Sequence, residues 1–143
     1  MESETFRKGY PDGINGPRIL EEQYQYDLAG NLTWITDPRN NVAVFQYDAL
    51  DRLEKVTDAL GQKIDYQYNR LGNLSQTRQY EGGNTVVTLK QYDERGSLIS
   101  NRLPGGETTA IKYHAVGLPS EVEDALGKTT TMQYAPDGRL YEN

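Results

Sequence analysis

Val44-Phe45-Gln46-Tyr47-Asp48-Ala49-Leu50-Asp51-Arg52-Leu53-Glu54-Lys55-Val56-Thr57-Asp58-Ala59-Leu60-Gly61-Gln62-Lys63-Ile64-Asp65 is the stretch on which the reading of this chain turns. It holds two turn signals and two segments of strand length. One turn signal is Asp48-Ala49-Leu50-Asp51, and the other is Asp58-Ala59-Leu60-Gly61. In each, a short acidic side chain opens the turn by accepting backbone N–H bonds, and the fourth residue must tolerate positive φ. Aspartate tolerates that conformation better than most residues, so Asp51 fits a glycine slot. Phe45 and Tyr47 stand two apart, which puts both on one face of a strand.

Outward from this unit the same pattern recurs. Tyr26, Tyr47, Tyr68, Tyr92, Tyr113 and Tyr134 are spaced 21, 21, 24, 21 and 21 residues apart. Four residues after each comes the glycine slot: Gly30, Asp51, Gly72, Gly96, Gly117 and Gly138. A leucine follows at Leu32, Leu53, Leu74, Leu98 and Leu140, with Pro119 at the odd position. The mid-repeat turn returns as Asp124-Ala125-Leu126-Gly127 and, more loosely, Asp37-Pro38-Arg39-Asn40. Tyr24 with Tyr26, Tyr66 with Tyr68, Ile111 with Tyr113 and Met132 with Tyr134 repeat the one-face spacing. Frequent turns, threonines and aromatics disfavour helix. A fixed period of this length identifies a repeat architecture.

Each repeat is therefore predicted to be one β-hairpin. Six repeats over residues 22–143 give an all-β fold of eleven or twelve strands, repeated β-hairpins in a curved antiparallel meander sheet. Like residues then meet across neighbouring strands, with the tyrosines forming a ladder. The leucine and the position shared by Ile35, Val56 and Val122 are three residues apart, which calls for a bulge or bend, or for side chains on the outer face. The three extra residues of the longer repeat fall at Tyr80-Glu81-Gly82-Gly83-Asn84-Thr85, where a longer glycine-rich turn is expected. Pro104-Gly105-Gly106 is a second variant turn. Residues 1–21 form an atypical lead or cap, in which Tyr10-Pro11-Asp12-Gly13 echoes the repeat. The pattern stops soon after Leu140, before a further hairpin closes, so continuation or an edge-covering partner is expected.

Composition narrows function. The chain has 143 residues and a formal net charge of -6. That charge, without any Lys/Arg run beyond Arg7-Lys8, argues against nucleic acid as a partner. There is no cysteine, so disulfides and thiolate metal sites are excluded. No apolar run reaches membrane-spanning length, so no membrane insertion is expected. The first residues do not read as a signal peptide, which points to the cytoplasm for a complete product. As part of a larger protein the chain would instead be secreted or at the cell surface. His114 is the one histidine and sits in a turn slot. No phosphate loop or nucleophile elbow occurs. Carboxylates recur with the turns, so no catalytic, cofactor-binding or metal residue is predicted, and the chain is not expected to be an enzyme.

These motifs carry a resemblance. Tyr47-Asp48-Ala49-Leu50-Asp51-Arg52-Leu53 followed by Val56-Thr57-Asp58-Ala59-Leu60-Gly61 resembles the RHS/YD-repeat family, as do Tyr26-Asp27-Leu28-Ala29-Gly30-Asn31-Leu32 and Tyr68-Asn69-Arg70-Leu71-Gly72-Asn73-Leu74. The resemblance covers about residues 22–141. It implies an open segment of a shell like those of bacterial RHS proteins, Tc toxin C subunits and teneurins. In the bacterial members such a shell encloses a toxic domain. Those shells also carry an Asp-Pro-x-Gly-Leu signature near a self-cleavage site. Asp37-Pro38-Arg39-Asn40 lacks its glycine and leucine, so no residue here inherits cleavage. Asp27, Asp48 and Asp93 match the Tyr-Asp slot, whereas Asn69, His114 and Ala135 do not, which favours a turn role over a catalytic one.

The function expected is structural: a fragment or small relative of a toxin-enclosing shell. Its partner would be protein, through sheet-edge self-association or through a larger RHS-type shell or toxin. The alternative is a noncatalytic carbohydrate- or protein-binding module. Trp34, which lies outside the repeat pattern, and Tyr80 are the contacts named for it, with Tyr24 and Tyr66 as further aromatic candidates.

Overall fold

The computed structural model describes residues 2–10 and 18–141. Pro11, Asp12 and Gly13 of the N-terminal echo lie outside the described residues. The described residues are all strand and turn. The strands are β1 (Glu2–Tyr10), β2 (Arg18–Tyr26), β3 (Leu32–Thr36), β4 (Val42–Tyr47), β5 (Leu53–Thr57), β6 (Lys63–Tyr68), β7 (Leu74–Glu81), β8 (Asn84–Tyr92), β9 (Leu98–Arg102), β10 (Thr108–Tyr113), β11 (Pro119–Glu123) and β12 (Thr129–Thr131). Their order in the sheet is their order in the chain. This is an antiparallel hairpin meander, as the period predicts. Contacts divide the chain into Met1–Tyr66 with Gln79–Asn84, and Gln67–Arg78 with Thr85–Asn143.

Ten turns among the described residues share one geometry. The opening residue's N–H donates to the carbonyl four residues on, and the fourth residue's N–H donates back to the opening carbonyl. Asp48 shows both bonds, to Arg52 at 2.9 Å and from Asp51 at 3.1 Å. This is a type I turn followed by a left-handed residue, a common three-residue hairpin closure. The left-handed slot is usually glycine, but Asn40 holds φ 62° and Asp51 φ 57°. The variant turn at Leu103 keeps the geometry, with Gly106 at φ 95°.

The β7–β8 connection differs from the expected longer loop. Only Gly82 and Gly83 separate the strands, at φ 53° and 88°. Two consecutive left-handed residues make a two-residue hairpin whose twist matches that of its strands. The surplus residues lengthen β7 and β8 to 8 and 9 residues. Glycine pairs favour a tighter turn, and the added length goes into strand pairing.

A bulge explains the three-residue spacing. In the first unit Gln25 pairs with Trp34 but Tyr26 pairs with Leu32, leaving Thr33 extra. Gln46 and Tyr47 repeat this against Lys55 and Leu53. In the second unit the shift falls between Gln91 and Tyr92 and between Lys112 and Tyr113. The extra residue restores the two-residue alternation, so Leu32 and Ile35 share a face. In the first unit that face carries the rows Tyr24–Ile35–Ala43 and Phe45–Val56–Ile64. The opposite face carries Gln25–Trp34–Val44–Thr57–Lys63 and Gln46–Lys55–Asp65. In the second unit Ile111, Val122 and Thr130 form one row.

No hydrophobic residue among the described residues is fully buried. The anchor tyrosines and the aliphatic rows are half-buried, covered by neighbours on their own sheet. Cross-strand pairing and turn hydrogen bonding, each a modest contribution per site, therefore carry much of the local order.

Candidate functional site

The recurring tyrosine makes a recurring bond. Tyr47 Oη donates to the Leu32 carbonyl at 3.0 Å, in the first unit. In the second unit Tyr92 Oη donates to the Leu74 carbonyl and Tyr113 Oη to the Leu98 carbonyl, both at 2.8 Å. Each bond ties a tyrosine to the leucine of the preceding repeat. Pro119 stands where the next leucine would be, and Tyr134 Oη donates instead to Met132 Sδ at 3.6 Å. Tyr134 is joined to Leu140 by a single bridge beyond the last strand. Burial, then the Asp27 carboxylate, raise the Tyr47 hydroxyl above its ordinary pKa.

The aspartate after the tyrosine is a turn cap. Asp48 Oδ1 accepts the N–H of Leu50 and Arg52, while Oδ2 accepts Arg52 Nε at 2.7 Å. Asp27, Asp37, Asp58, Asn69, Asp93 and Asp124 place Oδ1 on the same two N–H groups of their own turns. The cap serves the mid-repeat turns too, where no tyrosine precedes it. The His114 and Ala135 turns keep the backbone bonds without a cap from their opening residue, and in the second Asp137 Oδ1 accepts the Arg139 N–H at 3.1 Å instead. Backbone N–H donation from Asn31 holds Asp27 below the usual carboxylate range; side-chain bonds from Asn41 and Arg52 do the same for Asp37 and Asp48.

Consecutive turns along the Tyr-turn edge are tied to one another. Asn31 Nδ2 donates to Asp51 Oδ1 at 2.9 Å in the first unit, and Arg95 Nη1 to the Ala115 carbonyl at 2.6 Å in the second. The glycine-slot residues Gly30, Gly72, Gly96, Gly117 and Gly138 hold φ between 83° and 88°.

Trp34 is exposed, at 36% of its full surface. Its Nε1 donates to Thr36 Oγ1 at 2.9 Å, fixing the ring along its own strand. Tyr80 lies elsewhere on the first unit, where its hydroxyl donates to Asp65 Oδ2 at 2.8 Å. Lys55 Nζ lies 3.7 Å from the other oxygen of Asp65. These groups, with Lys63, Leu60 and the Gly82-Gly83 turn, line a cavity of about 540 Å³. Trp34 is not among its lining residues; it sits in the same cross-strand row as Lys63, three strands away. The structure thus brings Tyr80 together with Lys55, Lys63 and Asp65, which the sequence reading did not single out. Their signal was the alternation Lys63, Asp65 on one strand, opposite Thr57 and Lys55 on the next.

Among the described residues no group of three or more His, Asp or Glu side chains is placed to hold a metal. Among the described residues there is no helix long and apolar enough to cross a membrane.

Capped hairpins repeated on one period and joined by tyrosine-to-carbonyl bonds define a structural repeat scaffold. Residues 26–63 and 47–85 match the family described as RHS Repeat. The match spans residues 26–85 and marks that part of the chain as RHS repeats. No curated protein matches. Among solved structures, the chain is similar to the TcdB2-TccC3-Cdc42 complex at 15% identity, covering 92% of this chain and 11% of that one, with a TM-score of 0.35. TcdB2-TccC3-TEV gives 12% identity, 92% and 12% coverage and a TM-score of 0.40. The Tc holotoxin pore of Photorhabdus luminescens gives 14% identity, 96% and 11% coverage and a TM-score of 0.36. The chain spans about a tenth of the length of these structures.

Proposed function

We propose that this hairpin array is a section of an RHS-type shell wall that encloses a polypeptide, a toxin domain in the bacterial setting. Its mechanism is steric: hydrogen-bonded strands form a barrier, and capped turns hold the hairpins in phase. The observation that carries this reading is that no described hydrophobic residue is fully buried, although one face of the first unit is lined with tyrosine, phenylalanine and aliphatic side chains. Such a face gains stability when another protein surface covers it. The partner is therefore protein, either further shell or the enclosed chain. On this reading the protein acts as part of a larger exported or cell-surface molecule.

Sedimentation velocity on the isolated chain tests it. Concentration-dependent association is expected, driven by the uncovered face and the strand edges. A well-folded, monodisperse monomer at high concentration would overturn it. Protease accessibility in intact cells tests the location, with protection of the chain from added protease as the contrary result.

Trp34 supports a second reading, noncatalytic carbohydrate recognition, because it is an exposed aromatic beside polar Gln25 and Thr36. Glycan-induced fluorescence change that disappears in Trp34→Ala is its signature. A flat response across neutral glycans removes it.

A further inference from the structure

We propose that the cavity beside the β7–β8 hairpin binds a peptide segment in which acidic and apolar residues alternate. The proposal does not depend on the enclosing role. The cavity, about 540 Å³, falls within the range of specific binding pockets. Its wall is built: Asp65 holds the Tyr80 hydroxyl at 2.8 Å from one oxygen and stands 3.7 Å from Lys55 Nζ through the other. Asp65 is therefore engaged in placing the ring and the amine. Lys63, exposed two residues away on the same face, brings a second cation. Among the lining residues two lysines stand against one engaged carboxylate, a positive balance on a chain whose net charge is -6. That local reversal selects an anion against the field of the whole molecule.

The remaining walls choose among anions. Leu60 lines the cavity while 84% exposed, and Tyr80 adds an aromatic surface. A Cβ built on Gly82 or Gly83 meets nothing within 4 Å, so a partner backbone can approach this rim closely. An extended peptide offers carboxylates and apolar side chains on alternate positions, about 3.3 Å apart per residue. The two sets point to opposite sides of an extended chain, so a peptide seated edge-on turns the first toward the lysines and the second toward Leu60. An acidic saccharide uses the lysines but has no use for an exposed leucine.

Fluorescence anisotropy with a labelled hexapeptide of alternating glutamate and leucine, titrated with the full chain, tests the site. Saturable binding that weakens with added salt is expected. Lys63→Glu should lower affinity at least about fivefold, and Leu60→Ser should lower it as well. Both side chains are exposed and outside the Tyr80–Asp65 bond, and Lys63→Gln replaces the charge reversal if circular dichroism shows loss of sheet. Equal affinity for an alternating glutamine–leucine peptide overturns the proposal. So does affinity unchanged in both variants. Lys63-dependent binding of oligogalacturonate that ignores Leu60→Ser would reassign the cavity to saccharide and overturn the peptide assignment.

Discussion

Tyr113 Oη and the Leu98 carbonyl oxygen are 2.8 Å apart, a side chain of one repeat bonded to the backbone of the repeat before it. The same relationship joins Tyr92 to Leu74 and Tyr47 to Leu32. The period of the tyrosines is thus matched to a bond, and at these three positions the bond fixes a hairpin against its predecessor.

Tyr113→Phe should therefore destabilise the second unit by about 1 kcal/mol, the usual net value of a lost hydrogen bond. Tyr134→Phe should cost less, because its thioether acceptor is a weak one. Urea titrations of the two variants measure the difference, and equal losses would remove the special status of the leucine carbonyl.

The cap can be separated from the charge at Asn69, whose Oδ1 accepts the N–H of Leu71 and Asn73 at 2.9 and 3.0 Å. Asn69→Ala should lower stability by about 1 kcal/mol, while Asn69→Asp should be near neutral, because either side chain caps the turn. Thermal melting of both compares them directly.

Acid should loosen the turns. Asp27, Asp37 and Asp48 have folded pKa values lowered by the bonds they accept from Asn31, Asn41 and Arg52. A lowered folded pKa gives stability that is present above the unfolded value, near 3.9, and is lost as pH falls through the folded value. The urea midpoint should hold steady from neutral pH to about pH 5 and then decline as these groups protonate. Replacing all three by Asn keeps a side-chain acceptor but removes the titration, so the decline should flatten. An unchanged acid profile in that triple variant would place the titrating groups elsewhere.

Gly61 isolates backbone strain. It holds φ 78°, and a Cβ there meets nothing within 4 Å. Gly61→Ala should cost about 1–2 kcal/mol through the left-handed backbone alone, and Gly61→Asn should cost less, as the φ 62° of Asn40 illustrates. Chemical denaturation of the pair checks the order.

The turns were legible at the level of five consecutive residues. Asp58 caps its own turn and Gly61 ends it, and both tasks are local. The alternation of Phe45 and Tyr47 was legible for the same reason, since strand faces follow from neighbouring positions. The Gly82-Gly83 connection is tighter than the sequence suggests, because counting surplus residues does not say whether they join the turn or the strands. Leu32 and Ile35 were ambiguous until pairing located the extra residue at Thr33.

The repeat, its hairpins and the role of its recurrent aspartate follow from covalent neighbours and their preferred backbone angles. Register does not. Which carbonyl a tyrosine hydroxyl reaches, and that Asp65 meets both Lys55 and Tyr80, depend on how separate strands align. That alignment is set cooperatively by bulges and cross-strand hydrogen bonds among residues distant in the chain, so only the folded sheet could decide it.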